Sequence, residues 1–251
     1  MKKVLLLGNS HVGAFKHAFS LVNSPNSSLF EFDFVAFASR KLTTLSISES
    51  QLCIDDWDQS KTFIQSASVI YSNINLKSYD IIVFVGGETP IDISHYVDFK
   101  TSIVSIPHFS TQVVEAVIST KFMSKNSLLT KLGQDLADHS HLVWVGKPPV
   151  ISNLTLSCQD ILNCQDLSEK IRDICSLWSC SSKTSFKFLF PRASVLNSHQ
   201  FSLHESYCRG GLRFNGKART PNNTDYGLED HGNADYGKAM FLDLFHLLSN
   251  L

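Results

Sequence analysis

Lys2-Lys3-Val4-Leu5-Leu6-Leu7-Gly8-Asn9-Ser10-His11 decides how this chain is read. Val4 to Leu7 leaves no polar face, so the run reads as a strand buried on both sides, as in a parallel sheet. Gly8-Asn9-Ser10 is a tight turn. Val12, Phe15, Ala18, Phe19 and Val22 then share one face of a helix over about 11–22. Strand, turn and helix in that order open an α/β unit. Two lysines before an apolar run suggest a secretory leader, but four apolar residues before Gly8 are too few for its core.

Outward from this unit, the pattern repeats. Phe30 to Phe37 alternates apolar residues, and Ile81 to Val85 is a continuous run ended by Gly86-Gly87. Leu142 to Val145 is ended by Gly146 and Pro148-Pro149, and Phe186 to Phe190 by Pro191. Helical periodicity covers about 111–122, 127–137, 166–178 and 234–248. Five strands alternating with helices predict a mainly parallel sheet sandwiched by helices, in a single domain over 1–251. Residues 47–75 fit either a hairpin or a short helix.

The 251 residues are 43% apolar, enough for a large core, and the formal net charge is −1. That balance provides no field to attract nucleic acid or an anionic membrane. No apolar run approaches the ~18 residues that span a bilayer. Six cysteines without a CxxC, in a chain with no export signal, read as reduced thiols of a cytoplasmic protein. The ten histidines are scattered away from the cysteines, so no metal site is expected. With no GxGxxG and no Walker lysine, no nucleotide cofactor is expected either, which weakens the case for a nucleotide-binding domain.

A serine on a strand-to-helix turn is met by backbone N–H groups and the positive end of the helix. There Ser10 can serve as a nucleophile whose own N–H holds an oxyanion, or simply as the helix N-cap. The other end of the chain bears on that choice. Asp230-His231-Gly232-Asn233-Ala234-Asp235-Tyr236-Gly237 puts a histidine at the mouth of the last helix, where it can act as base to a distant serine.

Gly8-Asn9-Ser10 at one end, and His231-Gly232-Asn233 with Tyr236-Gly237 at the other, resemble the SGNH (GDSL-like) hydrolase superfamily. The order of elements matches along the whole chain, and about a dozen residues carry the likeness. The resemblance implies a flavodoxin-like three-layer α/β/α sandwich, acyl-ester chemistry, Ser10 as nucleophile and His231 as base. It departs from the family at four places, the first being Asn9, where the family's turn is Gly-Asp-Ser. The aspartate expected three residues before the histidine is Leu228, which leaves Asp230, then Glu229, to orient His231. The asparagine of the family's Gly-x-Asn-Asp block is replaced in Gly86-Gly87-Glu88-Thr89, and an ionised glutamate cannot donate to an oxyanion. Either Gly87 or Thr89 supplies a donor there, with Gly87 the one expected, or Glu88 has another task such as contacting a sugar hydroxyl. Ser39, after the second strand, stands in for the family's glycine donor, and Asn9 adjoins the same site.

Cys208 to Arg219 carries four positive charges and no acid, with Arg209 at its head. It is either a solvated loop or one that grips an anionic or polyhydroxylated substrate. The expected function is an esterase-type hydrolase for a small acyl group, acetyl for example, on a carbohydrate or other polar alcohol. O-acyl transfer to a sugar and a non-catalytic carbohydrate-binding module on the same fold remain open.

Overall fold

The computed structural model describes residues 1–9, 11–22, 29–37, 45–54, 62–65, 73–86, 90, 96–97, 105–122, 133–134, 136, 141–146, 156–180, 186–198, 200–201, 203–207 and 232–251. Strand β1 (Lys2–Gly8) is the central strand, paired in parallel with β2 (Phe30–Phe37) on one side and β7 (Ile81–Val85) on the other. Val4, for example, faces Phe32 and Ile81 across the two ladders. This central position explains the unbroken apolar run: Val4 to Leu7 are each 0% exposed. Beyond β7 lie β8 (His141–Val145) and β9 (Phe186–Leu189), also parallel.

The five parallel strands thus run β2-β1-β7-β8-β9, and β5 (Thr62–Gln65) adds an antiparallel edge beside β2. By order of appearance among the parallel strands this is 2-1-3-4-5, the flavodoxin-like order. The expected five strands are all present, and the sixth falls in the stretch that the sequence left open.

Alternate residues of β1 feed two cores. Val4 and Leu6 pack with α1 (Val12–Leu21) and α4 (Ala234–Leu248). Leu5 and Leu7 pack with α2 (Thr111–Phe122) and α3 (Cys158–Cys180) on the opposite face. Many of the phenylalanines belong to the first core. Phe30, Phe32 and Phe34 share one face of β2, where Phe32 meets Phe19 of α1 at 5.2 Å and Phe241 of α4 at 5.6 Å between centroids.

Of the two readings open for residues 47–75, the described residues show the hairpin, and one helix is longer than expected. Strands β3 (Leu45–Ser48) and β4 (Gln51–Ile54) form a hairpin, joined by β6 (Asn73–Asn75) in a separate antiparallel sheet. Its turn, Glu49-Ser50, has φ of 51° and 63°, the left-handed pair of a two-residue hairpin turn. Helix α3 begins at Cys158, two turns before its expected start, and the last helix matches 234–248. Of the helix expected over 127–137, only 133, 134 and 136 are among the described residues, and all three are helical. Among the described residues no helix is long and apolar enough to cross a membrane.

Candidate functional site

In a sheet of this order, the strands on either side of the switch point send their connections to opposite faces, and a crevice opens beyond their carboxyl ends. Here the switch point lies between β1 and β7. β1 leads to α1 on one face, and α2, the first described α-helix after β7, lies on the other. Backbone contact there is close. A Cβ on Gly8 would lie 1.8 Å from the carbonyl oxygen of Val85, so only glycine fits the end of β1.

Asn9 continues the ladder by one bond, its N–H donating to Val85 O at 3.2 Å. Its side chain then turns the chain: Oδ1 accepts from His11 N–H at 3.1 Å, while its own carbonyl accepts from Val12 N–H at 3.1 Å. Asn9 is 5% exposed. Its amide lies across Gly86, where a Cβ would fall 2.2 Å from Asn9 Oδ1. Gly86 has φ of 94° and donates to Val145 O at 2.8 Å, which ties the end of β7 to β8. The N-cap position of α1 is His11, without a side-chain cap bond. His11 is itself buried at this edge, an imidazole that the sequence did not single out.

At the other end of the chain, Asn233 caps α4. Its Oδ1 accepts from Tyr236 N–H at 3.0 Å, its Nδ2 donates to Ser206 O at 2.7 Å, and its own N–H donates to Tyr207 O at 2.9 Å. Tyr236 folds back over Gly232, where a Cβ would meet the ring at 2.0 Å. The Tyr236 hydroxyl is buried without a hydrogen-bond partner among the described residues, and burial raises its pKa. One residue on, Gly237 lies against α1, since a Cβ there would sit 2.4 Å from Ala14 O. The first turns of α1 and α4 are therefore in contact.

Of the residues the sequence singles out, Asn9 is described, at the switch point. Ser10, Ser39, Gly87, Glu88, Arg209, Asp230 and His231 lie outside the described residues, as does Glu229. The described residues reach to both sides of Ser10, at Asn9 and His11, and to Gly232 directly after His231. Among the described residues no three His, Cys, Asp or Glu side chains cluster as metal ligands. Comparison with known proteins finds no matching family model, no matching curated protein and no matching solved structure.

Proposed function

We propose that this chain is a serine esterase-type hydrolase of the SGNH kind, acting on a small acyl ester of a carbohydrate or other polar alcohol. Ser10 Oγ attacks the ester carbonyl carbon while His231 takes its proton. The tetrahedral oxyanion is held by N–H groups of Ser10, Ser39 and Gly87 and by the amide of Asn9. Its collapse breaks the ester bond, and the alcohol leaves with the proton from His231. Water, deprotonated by the same imidazole, then releases the acid and restores Ser10. Asp230 orients the imidazole, and Glu88 and Arg209 contact the alcohol. The same reading takes the protein to be cytoplasmic.

The observation that supports this reading is the contact of Gly237 with Ala14. It brings together the first turns of the two helices that follow the two motifs. Ser10 is one peptide from Asn9 and His231 one from Gly232, a step of about 3.8 Å each. Hydrolysis of 4-nitrophenyl acetate by the parent, with loss in both Ser10→Ala and His231→Ala, is the test. Equal rates in parent and Ser10→Ala would remove the proposal.

A non-catalytic binding module on the same fold is the alternative, favoured by Leu228 and Glu88 where the family has an aspartate and an asparagine. It predicts no turnover by the parent. O-acyl transfer shares the acyl-enzyme and differs only in a sugar hydroxyl replacing water, so product analysis with and without a sugar acceptor separates it from hydrolysis.

A further inference from the structure

A groove of about 430 Å³ runs along the outer face of α4, walled on the far side by the short 3-10 turns Ala193–Val195 and Glu205–Tyr207. Its volume is within the range of small-molecule sites. Asp235, Lys238 and Leu242 line it from one face of α4, one and two turns apart.

Two of its polar groups are already engaged. Arg192 Nε donates to Asp243 Oδ2 at 2.8 Å, and its second nitrogen pairs with Asp243 Oδ1. The Ser206 hydroxyl is bonded to His204 Nδ1 at 2.8 Å. Ser206 N–H also donates to that nitrogen at 3.3 Å.

Among the described residues Asp235 and Lys238 have no ion-pair partner, and the side chains of Ser194 and Tyr207 no hydrogen-bond partner. The groove therefore offers a carboxylate acceptor, an ammonium donor and two hydroxyls beside Val195 and Ala239. The lining carries Arg192 and Lys238 against Asp235, and Asp243, outside the lining, neutralises Arg192. With that pair closed, the groove is balanced in charge and has little preference for an ion. It suits a neutral polyol, whose hydroxyls donate to one group and accept from the other while its C–H face covers the apolar floor.

We infer that this groove is the subsite for the polyhydroxylated alcohol half of the ester. That role rests on the proposed acyl chemistry, and a physical link supports it. The carbonyls of Ser206 and Tyr207, two groove residues, hold Asn233, two residues after His231.

Saturation-transfer NMR titration of the full chain with the methyl α-pyranosides of glucose, galactose and mannose tests the subsite, with inorganic phosphate as the ionic comparison. At least one glycoside should bind, and Asp235→Ala and Lys238→Ala should each weaken it about tenfold, as for loss of a hydrogen bond to a charged group. Leu242→Arg, placed at an exposed helical position, should block the groove while leaving the melting curve in place. No glycoside binding, binding indifferent to all three substitutions, or a response to phosphate alone would overturn the inference. Assay of the parent on 4-nitrophenyl acetate keeps the two proposals apart. Sugar binding without hydrolysis leaves the groove and removes the catalysis; hydrolysis without sugar binding does the reverse.

Discussion

Gly237 lies directly on the backbone of Ala14, with 2.4 Å between its would-be Cβ and the Ala14 carbonyl oxygen. Backbone at that point belongs to the first turn of α1 and cannot swing aside as a side chain would. Alanine at 237 gains up to about 1 kcal/mol of helix propensity over glycine, yet the overlap costs about 1–3 kcal/mol. Gly237→Ala is therefore expected to be less stable than the parent, and Gly237→Val more so. Urea denaturation at fixed pH reads the difference, and an increase in midpoint for Gly237→Ala would show that the helices part freely.

Asn233 does two separable jobs, capping α4 through Oδ1 and tying it to Ser206 through Nδ2. Asn233→Ala removes both and should cost about 1–2 kcal/mol, within the range for lost N-caps. Asn233→Asp keeps the cap acceptor and loses only the donor, so its cost should be smaller. Equal costs for the two variants in equilibrium unfolding would mean that the cap bond contributes nothing.

Cys164 and Cys175 lie on the buried side of α3, while Cys158 is exposed at its start. Burial pushes the Cys175 thiol up to about 12; burial and then the Asp160 carboxylate push Cys164 to about 11. Iodoacetamide at pH 8 should alkylate Cys158 and spare the other two until urea is added, a result that peptide mass mapping would read. The pH dependence has a definite sign. A thiol whose folded pKa is raised stabilises the fold fully below its ordinary value near 9, and loses that contribution as pH climbs towards 12. The urea midpoint should fall between pH 8 and 10.5, and fall less in Cys175→Ala.

How much of this the sequence carries depends on where the signal is local. β1, β7 and β8 are continuous apolar runs closed by glycine, and α4 has its stripe of Met240, Phe241, Leu244, Phe245 and Leu248, so pattern alone finds them. The β3–β4 hairpin stays only one of two readings because Glu49-Ser50 adopts left-handed geometry without the glycine or asparagine that usually marks it. The first turns of α3 escape because Gln159, Asp160 and Asn163 break the apolar period. Their support is polar: Ser157 Oγ accepts from Asp160 N–H, Asp160 accepts back from Ser157 N–H, and Ile106 is bonded by both Asp160 and Asn163. Ser157 with Asp160 three residues on is itself a start signal, one that apolar periodicity does not weigh. At the candidate site the turn and the cap are local and legible. The seating of Asn9 against Gly86, and of Gly237 against Ala14, joins residues far apart in sequence, and only the fold reveals it.

Asn9 stands where the SGNH pattern has aspartate, and that difference separates its structural task from its proposed chemical one. The structural task needs only an acceptor, because Oδ1 receives the His11 N–H at 3.1 Å. An aspartate carboxylate accepts equally well, so Asn9→Asp should fold and melt close to the parent. Donation to an oxyanion needs the amide N–H, which a carboxylate lacks, and the added negative charge opposes the charge that develops there. If Asn9 supplies the donor that Glu88 cannot, Asn9→Asp should lower kcat on 4-nitrophenyl acetate by about 10²–10³, the usual consequence of losing one such donor. KM should move far less, because the oxyanion exists only after attack. Wild-type kcat in a stably folded Asn9→Asp would confine this residue to turning the chain and would leave the oxyanion to backbone N–H groups alone.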